Sequence, residues 1–160
     1  MQRIEGTIQP YAWGSHTFIP ELLGTEPTGE PQAELWLGAH SSSPAQVGGR
    51  GLDELVAADP DTFVGSASVA QFGPVLPYLL KVLAAAEPLS LQAHPSRAQA
   101  EAGFAAENAA GLALDAPDRT YRDNWPKPEM LCALGQADVL CGFREPASTY
   151  ALFAELGVEP

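Results

Sequence analysis

Basic residues are scarce in this chain: 8 lysines and arginines stand against 20 acidic residues, a formal net charge of -12. Such a field repels polyphosphate backbones and anionic membrane surfaces, so neither nucleic acid nor a membrane is an expected partner. Only two cysteines are present, Cys132 and Cys141. Both fall in apolar, strand-like runs, which suits reduced thiols in a core better than the paired framework of a small secreted domain. No apolar run approaches the length of a membrane span, and Met1-Gln2-Arg3-Ile4-Glu5 lacks a signal-peptide stretch, so the cytoplasm is the expected compartment. Internal repeats, low-complexity tracts, a glycine-rich phosphate loop, Gly-x-Ser-x-Gly and Cys-x-x-Cys are all missing. Their absence removes support for nucleotide binding and serine-type hydrolysis. What the 160 residues do contain, at 46% hydrophobic and 18% charged, is the composition of one globular domain.

Along the chain, apolar runs and alternation predict strands over Ile4–Ile8, Ala33–Gly38, Tyr78–Leu83, Leu89–His94, Glu129–Leu134 and Val139–Phe143, with Tyr78–Leu83 and Leu89–His94 as neighbours. Helices are expected over Thr17–Leu23, over Leu52–Ala58 ahead of Asp59-Pro60, and over Ser148–Leu156 with Gly157 as its stop. Ser96-Arg97-Ala98-Gln99 fits a capping box opening an alanine-rich helix that runs to about Ala110, stopped by Gly111.

Two motifs concentrate groups able to hold a metal. In Leu89-Ser90-Leu91-Gln92-Ala93-His94-Pro95, the period-two pattern puts Ser90, Gln92 and His94 on one face of a strand, so Gln92 and His94 can reach one ion. In Lys127-Pro128-Glu129 the chain is held extended ahead of the proline, and Glu129 enters the apolar run Met130-Leu131-Cys132-Ala133-Leu134. An ionised group there needs a partner. An anionic substrate would require local cations to offset the overall charge, and Lys81, Lys127, Arg119 and Arg144 are the candidates.

Together these motifs resemble the type I phosphomannose isomerases, zinc enzymes of cupin fold. The resemblance runs through Tyr11-Ala12-Trp13-Gly14-Ser15, Ala33-Glu34-Leu35-Trp36-Leu37-Gly38-Ala39-His40, Pro77-Tyr78-Leu79-Leu80-Lys81-Val82-Leu83, Leu91-Gln92-Ala93-His94-Pro95, Tyr121-Arg122-Asp123, Lys127-Pro128-Glu129 and Leu140-Cys141-Gly142-Phe143-Arg144. It implies that Gln92, His94 and Glu129 are ligands of one Zn2+ per chain. The fourth ligand in the family is a later histidine, and here no histidine follows Glu129. It also implies a mainly β, cupin-like (jelly-roll) antiparallel structure with helical additions, incomplete in this chain. Residues 1–146 would form the amino-terminal part of the catalytic domain, and 147–160 the start of a helical domain. The family signature Tyr-x-Asp-x-Asn-His-Lys-Pro-Glu reads Tyr121-Arg122-Asp123-Asn124-Trp125-Pro126-Lys127-Pro128-Glu129 here, with Trp-Pro in place of Asn-His.

The implied reaction interconverts mannose 6-phosphate and fructose 6-phosphate. It moves a proton between adjacent carbons, which needs a base, an acid and a stabiliser of a developing oxyanion. Ser90 matches a substrate-pocket serine of the family. Lys81, interrupting an apolar run, either faces the site or snorkels to solvent, and Lys127 either binds substrate oxygens or is exposed. Trp13 and Trp36 read as core or pocket-wall aromatics, and His16 and His40 as polar loop residues. The base is expected outside these residues, and because the late histidine is absent the chain by itself is expected to show little or no isomerase activity and weak metal affinity. A completing carboxy-terminal segment or chain is the expected partner, with the hexose 6-phosphate as the small-molecule ligand. The contrasting reading is a non-catalytic cupin module that binds a metal or a sugar phosphate, which would hold its ligand tightly without any completing segment.

Overall fold

Strand β1 (Thr7–Gln9), strand β2 (Glu34–Leu37) and strand β5 (Leu80–Leu83) form one antiparallel sheet with β2 at its centre. A computed structural model describes residues 2–158 of the chain. The register pairs Leu35 with Ile8 and Val82, and Trp36 with Thr7 and Lys81. Because successive side chains leave a strand on opposite faces, the sheet has an apolar face and a polar one. On the apolar face Leu35 packs with Ile19 and Ala84, flanked by Ile8, Leu37 and Val82. Ile19 comes from helix α1 (Phe18–Leu23), which begins after Thr17. Strands β3 (Gln46–Val47) and β4 (Arg50–Gly51) make a second, two-stranded hairpin. Against it lies helix α2 (Leu52–Ala58), whose Leu52 and Val56 close a second small core with Val47.

Asp59-Pro60, read as a stop, is also a start. Asp59 ends α2, and its carboxylate accepts the Thr62 N–H at 3.2 Å to cap helix α3 (Pro60–Phe63), with Pro60 at the first helical position. Helix α4 (Ser66–Phe72) follows in a stretch that carried no strong periodicity. Helix α5 (Arg97–Ala109) opens with both bonds of the expected capping box, and Gly111 lies just beyond it at φ +75°, where a side chain would be strained. Helix α6 (Pro146–Glu155) completes the order. The chain divides between Gln92 and Ala93 into two units, the first holding both sheets and the second α5 and α6.

Three expected strands do not form among the described residues. Leu89–His94, Glu129–Leu134 and Val139–Phe143 have no regular structure, and the neighbour of β5 is β2 rather than Leu89–His94. A strand exists only where another takes up its N–H and C=O groups, and alternation alone supplies no such partner. The same segments leave Leu91, Met130, Leu140 and Phe143 exposed at 84%, 96%, 88% and 94%. Cys132 and Cys141 are exposed with them, so the expectation of core thiols fails for the same reason. The mainly β expectation holds only as small antiparallel sheets, since six helices accompany five short strands among the described residues.

Candidate metal centre

In the second unit the chain enters α5 through His94-Pro95-Ser96, and the loop that follows the helix is bound back along it. The Glu107 carboxylate accepts the Thr120 N–H at 3.0 Å and the Tyr121 N–H at 2.7 Å. Arg119 donates to the Tyr121 carbonyl at 2.7 Å, the Leu112 carbonyl at 2.6 Å and Asn108 Oδ1 at 2.8 Å, and its guanidinium lies 5.0 Å over the Phe104 ring. Burial raises the Glu107 carboxyl, but the two backbone donors and the Arg119 cation outweigh it and the net shift is downward. Gly103 lets Tyr121 lie flat on the middle of α5, where a Cβ would stand 2.4 Å from the ring.

Farther along, Asp123 closes a tight turn. Its Oδ1 accepts the Trp125 N–H and its Oδ2 the Lys127 ammonium, both at 2.9 Å. The turn delivers Glu129 to His94, with Nδ1 and Oε2 3.9 Å apart. Two donors that each sit about 2.0–2.2 Å from a zinc ion are separated by no more than about 4.4 Å, so this imidazole and carboxylate fit a shared ion. Among the described residues no group of three or more His, Cys, Asp and Glu side chains could hold a metal. Gln92 belongs to the first unit, exposed and outside any strand, as is Ser90.

Lys81 lies on the polar face of the first sheet, directly across from Trp36. Its ammonium stands 3.6 Å from Glu34 Oε2 and 4.9 Å over the Trp36 ring, and the same carboxylate oxygen accepts the Trp36 indole N–H at 2.5 Å. Glu34 is the residue sequence reasoning passed over. Its signal was a carboxylate inside Ala33-Glu34-Leu35-Trp36, and only the β2–β5 register links it to Lys81. The Tyr11 hydroxyl is held above its usual range by burial and by the Glu34 charge. His40, read as a polar loop residue, meets Trp36 edge-on at 5.1 Å and bonds Ser42 Oγ at 2.8 Å. His16 remains a loop residue, bonded to the Gly29 carbonyl. Of the four cations considered for a phosphate, Arg119 is engaged in the staple on α5, Lys127 is paired with Asp123, Lys81 with Glu34, and Arg144 is exposed.

The family model for the catalytic domain of phosphomannose isomerase type I matches residues 1–146. Mannose-6-phosphate isomerase of Escherichia coli K12 is 44% identical over 151 residues, covering 91% of this chain and 38% of that protein. The human mannose-6-phosphate isomerase is 36% identical over 151 residues, covering 86% of this chain and 33% of its own. Among solved structures, mannose 6-phosphate isomerase from Salmonella typhimurium bound to fructose 6-phosphate and zinc superposes with a TM-score of 0.71 at 42% identity, over 78% of this chain and 32% of that one. The chain thus spans well under half the length of these relatives.

Proposed function

The chain belongs to the type I phosphomannose isomerase family, and from that premise we propose that it forms the amino-terminal part of a zinc-dependent aldose–ketose isomerase acting on mannose 6-phosphate and fructose 6-phosphate. The reading rests on the approach of His94 Nδ1 to Glu129 Oε2 at 3.9 Å. Gln92, His94 and Glu129 would hold the zinc, with a fourth ligand from the remainder of the enzyme. When bound, the ion polarises the sugar oxygens flanking the carbons that exchange a proton.

The chain's own groups bind and orient. Glu34 fixes the Lys81 ammonium above the Trp36 ring, where it is 30% exposed and can meet an anionic sugar oxygen. Ser90 contributes a hydroxyl to the substrate, and Lys127 a cation held by Asp123. The base belongs to the remainder. The exposed alternating segments 89–94, 129–134 and 139–143 take up strand pairing with that remainder to complete a cupin-like jelly roll, the catalytic part running through residue 146 and a helical domain beginning at 147. A cytoplasmic setting fits a chain in which, among the described residues, no helix is long and apolar enough to cross a membrane.

Zinc titration of the chain and of His94→Ala and Glu129→Ala tests the ligand pair. Each substitution is expected to weaken binding by roughly tenfold or more, about 1.4 kcal/mol or greater. Zinc affinity unchanged in both would remove the metal reading.

A further inference from the structure

We infer that Arg97 and Trp125 form a clasp that positions Glu129 beside His94. The inference rests on the metal reading above and concerns the Trp-Pro departure from the family signature. Arg97 is the first residue of α5, three places after His94, and Trp125 lies four places before Glu129. The Arg97 guanidinium sits 4.8 Å over the Trp125 ring. The Glu101 carboxylate, four residues along the helix, pairs with it at 3.5 Å.

The placement matters because the loop's other attachment is remote. The Arg119–Glu107 staple grips α5 ten residues beyond Arg97, about 15 Å along the helix, and Tyr121 rests on Gly103 between the two. Neither fixes the loop at the end of α5 where His94 enters. Trp125 does so, and the connection to each metal-capable residue is short and stiff. Pro95 lies between His94 and Arg97, and Pro126 and Pro128 lie between Trp125 and Glu129, each ring locking its own φ. The Asp123 carboxylate holds the Trp125 N–H and the Lys127 ammonium together, so the turn moves as one piece. Trp125 and Pro126 thus supply by stacking and stiffness a location for Glu129 that hydrogen-bonding residues could supply in other ways.

A clasp can raise metal affinity by no more than its own free energy. For a cation over an aromatic ring that is partly exposed, with Arg97 52% exposed, the corresponding loss is roughly three- to tenfold in zinc affinity. The test is zinc titration of the 160-residue chain and of Arg97→Ala, Trp125→Ala, Trp125→Phe and the double alanine variant, with helix content followed by circular dichroism. Both single alanine variants are expected to weaken zinc binding by that factor, the double variant no further than the weaker single, and Trp125→Phe to stay within about twofold of the unmodified chain because it keeps a ring face. Arg97→Ala, at an exposed position, carries the test if Trp125→Ala does not fold. Zinc affinity untouched by the Arg97 and Trp125 variants but lost in His94→Ala would overturn the clasp and leave the metal site standing, as would losses that simply add. No zinc binding, or binding indifferent to His94, would remove the site and the clasp with it.

Discussion

The cations of this acidic chain show how little a residue type reveals before its neighbours are known. Arg119, one of four candidates for a phosphate, has its side chain 1% exposed and each of its three guanidinium nitrogens donating to α5 or its own loop. Its partner Glu107 offers a measurable consequence. The folded carboxyl lies below its ordinary value of 4.5, so its pairing stabilises the fold fully above that value, and the contribution disappears as pH falls through the lower folded value. The stability difference between the unmodified chain and Glu107→Gln is therefore expected to be level from neutral pH down to about 4.5 and to shrink below it. Denaturant titrations at stepped pH check this, and a difference that instead vanished above pH 5 would contradict the assigned donors. Lys81 carries the same lesson in reverse: an ammonium expected either to face a site or to reach solvent is oriented by Glu34 and Trp36, a pairing fixed by cross-strand register rather than by any local pattern.

Among the elements, helices were the more legible because their signals are local. The capping box of Ser96 and Gln99, the limits of Leu52–Ala58 and the region of α6 are all written within a few residues of one another. Where Asp59-Pro60 served as both stop and cap, the local signal was ambiguous and α3 escaped notice. Strands were legible only where a partner exists. β2 and β5 formed because each supplies the other's backbone bonds, whereas Leu89–His94, read as a strand from its alternation, forms none among the described residues. Since β2 is central and Leu35 is 5% exposed between Ile19 and Ala84, Leu35→Ala is expected to cost about 2–5 kcal/mol in the first unit by denaturant unfolding. A loss under about 0.5 kcal/mol, the scale of surface substitutions, would mean this sheet face is not its core.

For the molecule as a whole, the exposed apolar stretch from Met130 to Phe143 is the feature that composition could not foresee. Among the described residues no backbone pairing involves 127–143. Hydrogen exchange is expected to be fast throughout that stretch and slow at the β2 and β5 amides, a contrast mass spectrometry resolves. Slow exchange over 130–143 would show pairing that the fold described here lacks. The sequence by itself determined where α2 and α5 start, the two metal-capable motifs and the family, because each depends on residue types at fixed short spacing. Tertiary structure alone decided that His94 meets Glu129, that Glu34 claims Lys81 and that Arg97 stacks on Trp125. Those contacts join residues far apart along the chain, and only the folded path of the backbone, through strand register in one unit and the loop folded back on α5 in the other, sets the distances between them.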